Sequence, residues 1–354
     1  MLSALLAPLP LGTRPPQSPK PYVVPLQGPP CSPASSAVRA PHQLTMHHRL
    51  LLEEHYCQPT VTLVTRLGIA LGEGHVADVV AVHGVWNYRT GRTVQEAAQT
   101  LADDWLGKMA SGLKELGITS RTPALAVAYY GHLLQLSDGA QTAGLSPASL
   151  SPAELDLFRA WARAHGVPQE VAQGPVSALV EPTVSWLLAR TGRVGRGLGS
   201  TAARALREVN TYFTDTAKRT AVRECLAGTV TQHRPRVLIA HSLGSVVAYE
   251  TLWERPDLQV DLLVTVGSPL ALPGGIFDRL AHPALDGRGM RPPGVSRWVN
   301  ISDTGDLIAV PRPLHARFDG VDADEETHMA VADCHTMGMY LSSGLTAAAF
   351  APYL

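Results

Sequence analysis

The residue best placed for covalent chemistry lies in Val237-Leu238-Ile239-Ala240-His241-Ser242-Leu243-Gly244-Ser245-Val246-Val247. A short apolar run ends in Ala-His-Ser-Leu-Gly, with small residues, Ala240 and Gly244, two positions either side of Ser242. That spacing predicts a strand, a sharp turn carrying the serine, and a helix whose first N–H groups and positive dipole end face the hydroxyl. Strand and helix approach closely at such a turn, so its flanking residues must be small. A serine that merely caps a helix is the plain alternative.

A serine hydroxyl is too weakly acidic to attack a carbonyl unaided. An imidazole must take its proton, and a carboxylate must fix that imidazole's tautomer and stabilise its charged form. Downstream, Trp298-Val299-Asn300-Ile301-Ser302-Asp303-Thr304-Gly305-Asp306 reads as a strand running into a turn with two carboxylates. Asp303 and Asp306 are both candidates, and both are able to cap the turn. Two histidines follow. His328 stands in an acidic segment (Asp322, Asp324, Glu325, Glu326) that reads as a solvated loop, while His335 precedes a helix-like segment with Tyr340-Leu341.

On Ala240-His241-Ser242-Leu243-Gly244, and on Leu262 to Val266 followed by Gly267-Ser268-Pro269, the chain resembles the α/β-hydrolase superfamily in its bacterial lipase/esterase-like branch. Ala240 departs from that pattern, standing where the consensus has glycine. The resemblance covers roughly residues 76 to 345 and implies the chain order serine, acid, histidine. It implies Asp306, the aspartate after Gly305, as the acid, and His335, on the loop into the last helix, as the base. It further implies an oxyanion hole made by the backbone of Leu243 and a second donor from the His83-Gly84-Val85-Trp86 loop, where Val85 is preferred to Trp86. On its own, His-Gly is also an ordinary turn after a strand. The implied reaction is two-step acyl transfer to water with no cofactor, on a small-molecule or lipid-like carboxylic ester. Amide or peptide cleavage by the same triad, and a catalytically silent hydrolase-fold binding module, are the rival readings.

The surrounding pattern is that of an α/β fold with a doubly wound, mostly parallel sheet. Continuous apolar runs at Val79 to Val82, Ala124 to Tyr130, Val237 to Ala240, Leu262 to Val266 and Trp298 to Ile301 read as buried strands. A helix is expected from the capping box Thr93-Val94-Gln95-Glu96 to Gly117, with Leu101, Trp105, Met109 and Leu113 on one face. Between Tyr130 and Val237 no strand-like run occurs. Pro152 to His165, Val184 to Arg190 and Thr201 to Gly228 look helical, and about 135–205 is expected to be a lid or cap insertion. Residues 206–233 would then form the helix feeding the next strand. Tyr129, Tyr130 and His132 are expected either to line the acyl pocket or to lie in the core.

Eleven of the 28 prolines fall in the first 41 residues, so 1–58 is expected to be a disordered arm ahead of a 76–354 hydrolase domain. A net charge of −1 gives no reason to expect nucleic acid or an anionic membrane as partner. Cys31, Cys57, Cys225 and Cys334 form no C-x-x-C pair and no zinc-like spacing, so free thiols and no metal are expected. Pro8 and Pro10 interrupt the N-terminal apolar stretch, which no basic residue precedes, and no window is long enough to span a bilayer. A cytoplasmic location is therefore expected. The arginines at 190, 193, 196, 204 and 207 read as a solvated face. The glycines at 192, 195, 197 and 199 follow no strand and lack a phosphate-loop lysine, which excludes a nucleotide site. Oligomeric state has no signature in the sequence.

Overall fold

The computed structural model describes residues 77–135, 150–168, 182–183, 185–186, 198–282, 286–329 and 335–354. The expected arm at 1–58, most of the segment Val184 to Arg190 and the glycine-rich piece at 192–197 lie outside the described residues, as do Cys31, Cys57 and Cys334.

Unbroken apolar runs form the central strands, as burial on both faces requires. In chain order the strands are β1 (Val79–Val82), β2 (Leu125–Ala128), β3 (Val237–His241), β4 (Val260–Val266), β5 (Gly289–Met290), β6 (Val295–Asp303), β7 (Phe318–Asp319) and β8 (Ala323–Thr327). Six of them make one sheet in the order β2-β1-β3-β4-β6-β8, and every neighbouring pair is parallel. β5 and β7 form a separate short parallel pair.

The helices are α1 (Val94–Glu115), α2 (Pro152–Ala164), α3 (Leu198–Thr214), α4 (Thr216–His233), α5 (Leu243–Glu254), α6 (Met337–Ser342) and α7 (Gly344–Phe350). Thr93 and Glu96 form the expected capping box of α1, and Ser151 and Glu154 form another ahead of α2. Alternate strand residues supply two cores. Val79, Ala81, Ile239 and Val264 pack with Leu101, Trp105 and Met109 of α1 and with Tyr340 and Phe350 of the C-terminal helices. Val80, Val82, Leu238 and Leu263 pack with Val222, Leu226 and Val230 of α4 and Val246 and Val247 of α5. Helices therefore cover both faces of the sheet, as in a doubly wound α/β architecture.

Two expectations are corrected. The helical stretch does not divide near 205: it breaks at Asp215, whose carboxylate accepts the Lys218 N–H (3.0 Å) and caps α4. Residues up to Thr214 therefore belong to α3, and the helix leading into β3 starts at Thr216. The acidic segment around Asp324, Glu325 and Glu326 is not a loop but β8, the edge strand pairing with β6. Its charge fits an edge with one open side, where carboxylates discourage pairing with another chain.

Candidate active site

The chain goes from β1 to β2 on one side and later from β3 onward on the other, so the carboxyl ends of β1 and β3 flank the point where strand order reverses. In open α/β sheets this is where a crevice forms. Ser242 lies at the β3 end with φ 53° and ψ −127°, a left-handed conformation that serine adopts only when its surroundings impose it. Its N–H donates to the Val266 carbonyl (3.2 Å) and its carbonyl accepts the Ser245 hydroxyl (2.6 Å). Ser245 in turn bonds Ser268 (2.7 Å) in the turn after β4. The small-residue requirement read from the sequence is strict at Gly244, where a Cβ would sit 2.5 Å from the His83 carbonyl oxygen.

His335 reaches Ser242 from the C-terminal side, with Nε2 2.9 Å from the serine Oγ and Nδ1 2.7 Å from Asp306 Oδ2. The acceptor carboxylate places the proton on Nδ1 and leaves Nε2 to accept the serine proton. Burial alone would raise the Asp306 carboxyl, yet the His335 ring, its hydrogen bond, the Tyr340 hydroxyl and the Ile308 N–H hold it at about 2. Oδ1 accepts from Ile308 (2.8 Å) and Ala309 (3.3 Å), and the Tyr340 O–H donates to Oδ2 at 2.7 Å. Gly267 has φ +58°, and a Cβ there would approach Asp306 Oδ2 to 2.9 Å.

The other candidates lie elsewhere. Asp303 accepts the N–H groups of Gly305 (2.7 Å) and Met329, so it holds the turn that presents Asp306. His328 bonds Thr304 Oγ1 (2.9 Å) at the exposed edge of the sheet. Tyr129 and Tyr130 are core residues, taking the second of the two expectations for them.

The loop after β1 completes the crevice. His83 is buried, and desolvation depresses it to about 4, keeping it neutral. It donates from Nδ1 to the Gly84 carbonyl (2.7 Å) and accepts the Tyr130 N–H at Nε2 (3.0 Å). Gly84 then passes so near Ser242 that a Cβ would lie 2.7 Å from the serine Cβ. Trp86 takes φ 65° and gives its N–H to Glu208 of α3 (3.0 Å), which removes it as an oxyanion donor. Val85 lines the same cavity as the serine, as does Leu243, the first residue of α5, whose N–H has no acceptor within its own helix.

These groups open into a cavity with about 670 Å³ of empty space, part of it continuous with solvent. Its walls are almost wholly apolar: Trp86, Leu157, Phe158, Trp161, Leu206 and Ile276 are prominent, and Ser242 and His335 are among the residues that line it. The C-terminal end of α2 is fastened to the loop that carries Asp306, since Trp161 Nε1 and His165 Nε2 both reach the Leu307 carbonyl (2.6 and 2.8 Å).

Sequence reasoning missed Glu208, Tyr340 and Arg312. The Arg312 guanidinium donates to the carbonyls of Asp303 (3.1 Å), Thr304 (3.0 Å), Asp306 (3.0 Å) and Ala309 (3.0 Å), pinning the loop that carries Asp306. None of the three belongs to a recognisable motif; long-range contact assigns Glu208 and Tyr340 their roles, and the local folding of the loop assigns Arg312 its own. Among the described residues, no group of three or more His, Cys, Asp or Glu residues forms a metal site, and no helix is long and apolar enough to cross a membrane. No protein-family model, curated protein or solved structure matches the chain.

Proposed function

We propose that the chain is a serine hydrolase of the α/β-hydrolase type that cleaves carboxylic esters with an apolar acyl group. One observation carries the reading: the serine–imidazole–carboxylate line of 2.9 and 2.7 Å meets an apolar cavity that Ser242 and His335 help to line. Ser242 Oγ attacks the ester carbonyl as His335 Nε2 takes its proton, and Asp306 stabilises the resulting imidazolium. The tetrahedral oxygen is met by the N–H groups of Leu243 and Val85. His335 returns the proton to the departing alcohol, leaving an acyl-serine, and the same imidazole then activates water to release the acid. α2 and α3 act as the cap over this site, since both contribute cavity wall. The cysteine usage favours a reducing compartment, the cytoplasm.

An ester is favoured over a peptide because the cavity wall offers so few polar partners for a peptide's N–H and C=O groups. A fluorophosphonate probe should label the protein, and labelling should vanish in Ser242→Ala. Nitrophenyl esters of medium-length acids should turn over faster than acetate, and peptide anilides slowly or not at all. Absence of labelling in the folded protein would favour a silent binding module, and preference for anilides would make it an amidase.

A further inference from the structure

We infer that Tyr340 is a positioning residue of the triad: its hydroxyl, donating to the Asp306 oxygen that His335 also uses, fixes the carboxylate and moderates its pull on the imidazole. This rests on the reading of Ser242, His335 and Asp306 as a working triad. Asp306 accepts four hydrogen bonds, from Ile308 and Ala309 on Oδ1 and from His335 and Tyr340 on Oδ2, which matches the capacity of a carboxylate. Among the described residues, Tyr340 is the one side chain besides His335 that donates to it.

The direction of the Tyr340 proton is set by its other bond. The Asp303 N–H donates to the phenol oxygen at 2.9 Å, and the hydroxyl then turns its only proton to Asp306. The ring is fully buried, and α6, which carries Tyr340, starts two residues after His335. Burial and then the Asp306 charge raise the phenol well above its usual value, so it remains a donor. A donor on Oδ2 withdraws negative charge from the atom facing His335 Nδ1 and weakens the support given to the imidazolium.

The other polar groups around the pair are committed or neutral. His241, from the serine turn, has its ring 4.7 Å from that of His335, and desolvation keeps it uncharged. His165 from α2 bonds the Leu307 carbonyl and is likewise depressed by burial. Arg312 is spent on loop carbonyls, and Asp303 on backbone N–H groups.

The test compares the full-length protein with Tyr340→Phe, which keeps the ring and deletes the donor. The acid limb of the kcat/KM profile on a nitrophenyl ester should move to higher pH by about half a unit to one unit. The His335 ring signals, followed by NMR in labelled protein without substrate, should titrate higher by the same amount. That second measurement needs no turnover, so it judges Tyr340 even if the labelling of Ser242 fails. An unmoved titration, or one displaced downward, in a folded Tyr340→Phe protein overturns the inference. Should Tyr340→Phe not fold, fluorotyrosine at 340 serves instead: its more acidic hydroxyl must move the titration to lower pH, and no movement is equally fatal.

Discussion

The left-handed φ of Ser242 costs on the order of 1–3 kcal/mol and persists because its neighbours leave no alternative. Val266 and Ser245 hold its backbone, while Gly84 and Gly244 let the end of β1 approach without a side chain between. Gly84→Ala tests that approach, since its methyl group would lie 2.7 Å from Ser242 Cβ and 3.2 Å from Oγ. If Ser242 is the nucleophile proposed above, displacing it by such an amount should lower kcat/KM on the order of 100-fold, measured with a nitrophenyl ester, while far-UV circular dichroism is kept. Activity within threefold of the parent would mean that the serine moves freely. The two aspartates should separate just as sharply. Asp306→Asn turns an amide toward His335 and favours the wrong tautomer, which should cost on the order of 10⁴-fold in kcat. Asp303→Asn keeps one acceptor for the turn but opposes the Met329 N–H, so it should cost about 1–3 kcal/mol of unfolding free energy and less than tenfold in kcat. Equal kinetic losses in the two variants would contradict the assignment of Asp306 as the triad acid.

Among the elements, α2 makes the least expected connection. Its apolar face, with Leu157, Phe158 and Trp161, walls the cavity, and its Trp161 and His165 meet at the carbonyl next to Asp306. Trp161→Phe removes one of these donors and leaves most of the wall. The looser helix should raise KM several-fold for medium-chain esters and leave acetate turnover nearly unchanged, as steady-state kinetics would reveal. A uniform loss of kcat on both substrates would instead place the contact in service of Asp306. The same comparison explains what the sequence disclosed. β1, β2, β3, β4 and much of β6 were legible because strands buried on both faces need unbroken apolar runs. The serine turn was legible because small residues must flank it. β8 was hidden because its side chains are half-buried or exposed, unlike those of the apolar edge strand β2, and Ala323-Asp324-Glu325-Glu326-Thr327 resembles a polar loop. The break at Asp215 was hidden because helices on both sides leave no Gly or Pro between them, and a single cap decides the boundary. Asp303 and Asp306 were told apart only by family likeness, because both spacings suit a turn. Their partners, Tyr340 and Met329, lie far along the chain.

At the scale of the whole molecule, the sheet brings two buried histidines to the ends of adjacent strands, His83 after β1 and His241 at the end of β3. Neither has an acidic partner in hydrogen-bond contact, so both fold as neutral rings. The unfolded chain protonates each near its ordinary value of about 6.5, whereas burial depresses His83 to about 4 and His241 well below its usual value. A depressed histidine favours the folded state fully above the unfolded value, and the advantage shrinks as pH falls toward the folded one. His83 alone should therefore remove about 2 kcal/mol of stability between about pH 7.5 and pH 5, with His241 adding to it. Asp306 acts in the same direction but later. Held at about 2 in the fold, it withdraws its contribution only as pH drops below the ordinary carboxyl value of about 4. Urea unfolding should thus show a midpoint that declines in two stages, the first above about pH 4 and the second below it. In His83→Gln the first stage should become shallower while the second is retained. A midpoint constant from about pH 7.5 to pH 5 would mean that these rings accept protons inside the fold, and the crevice between β1 and β3 would then be wetter than its packing implies.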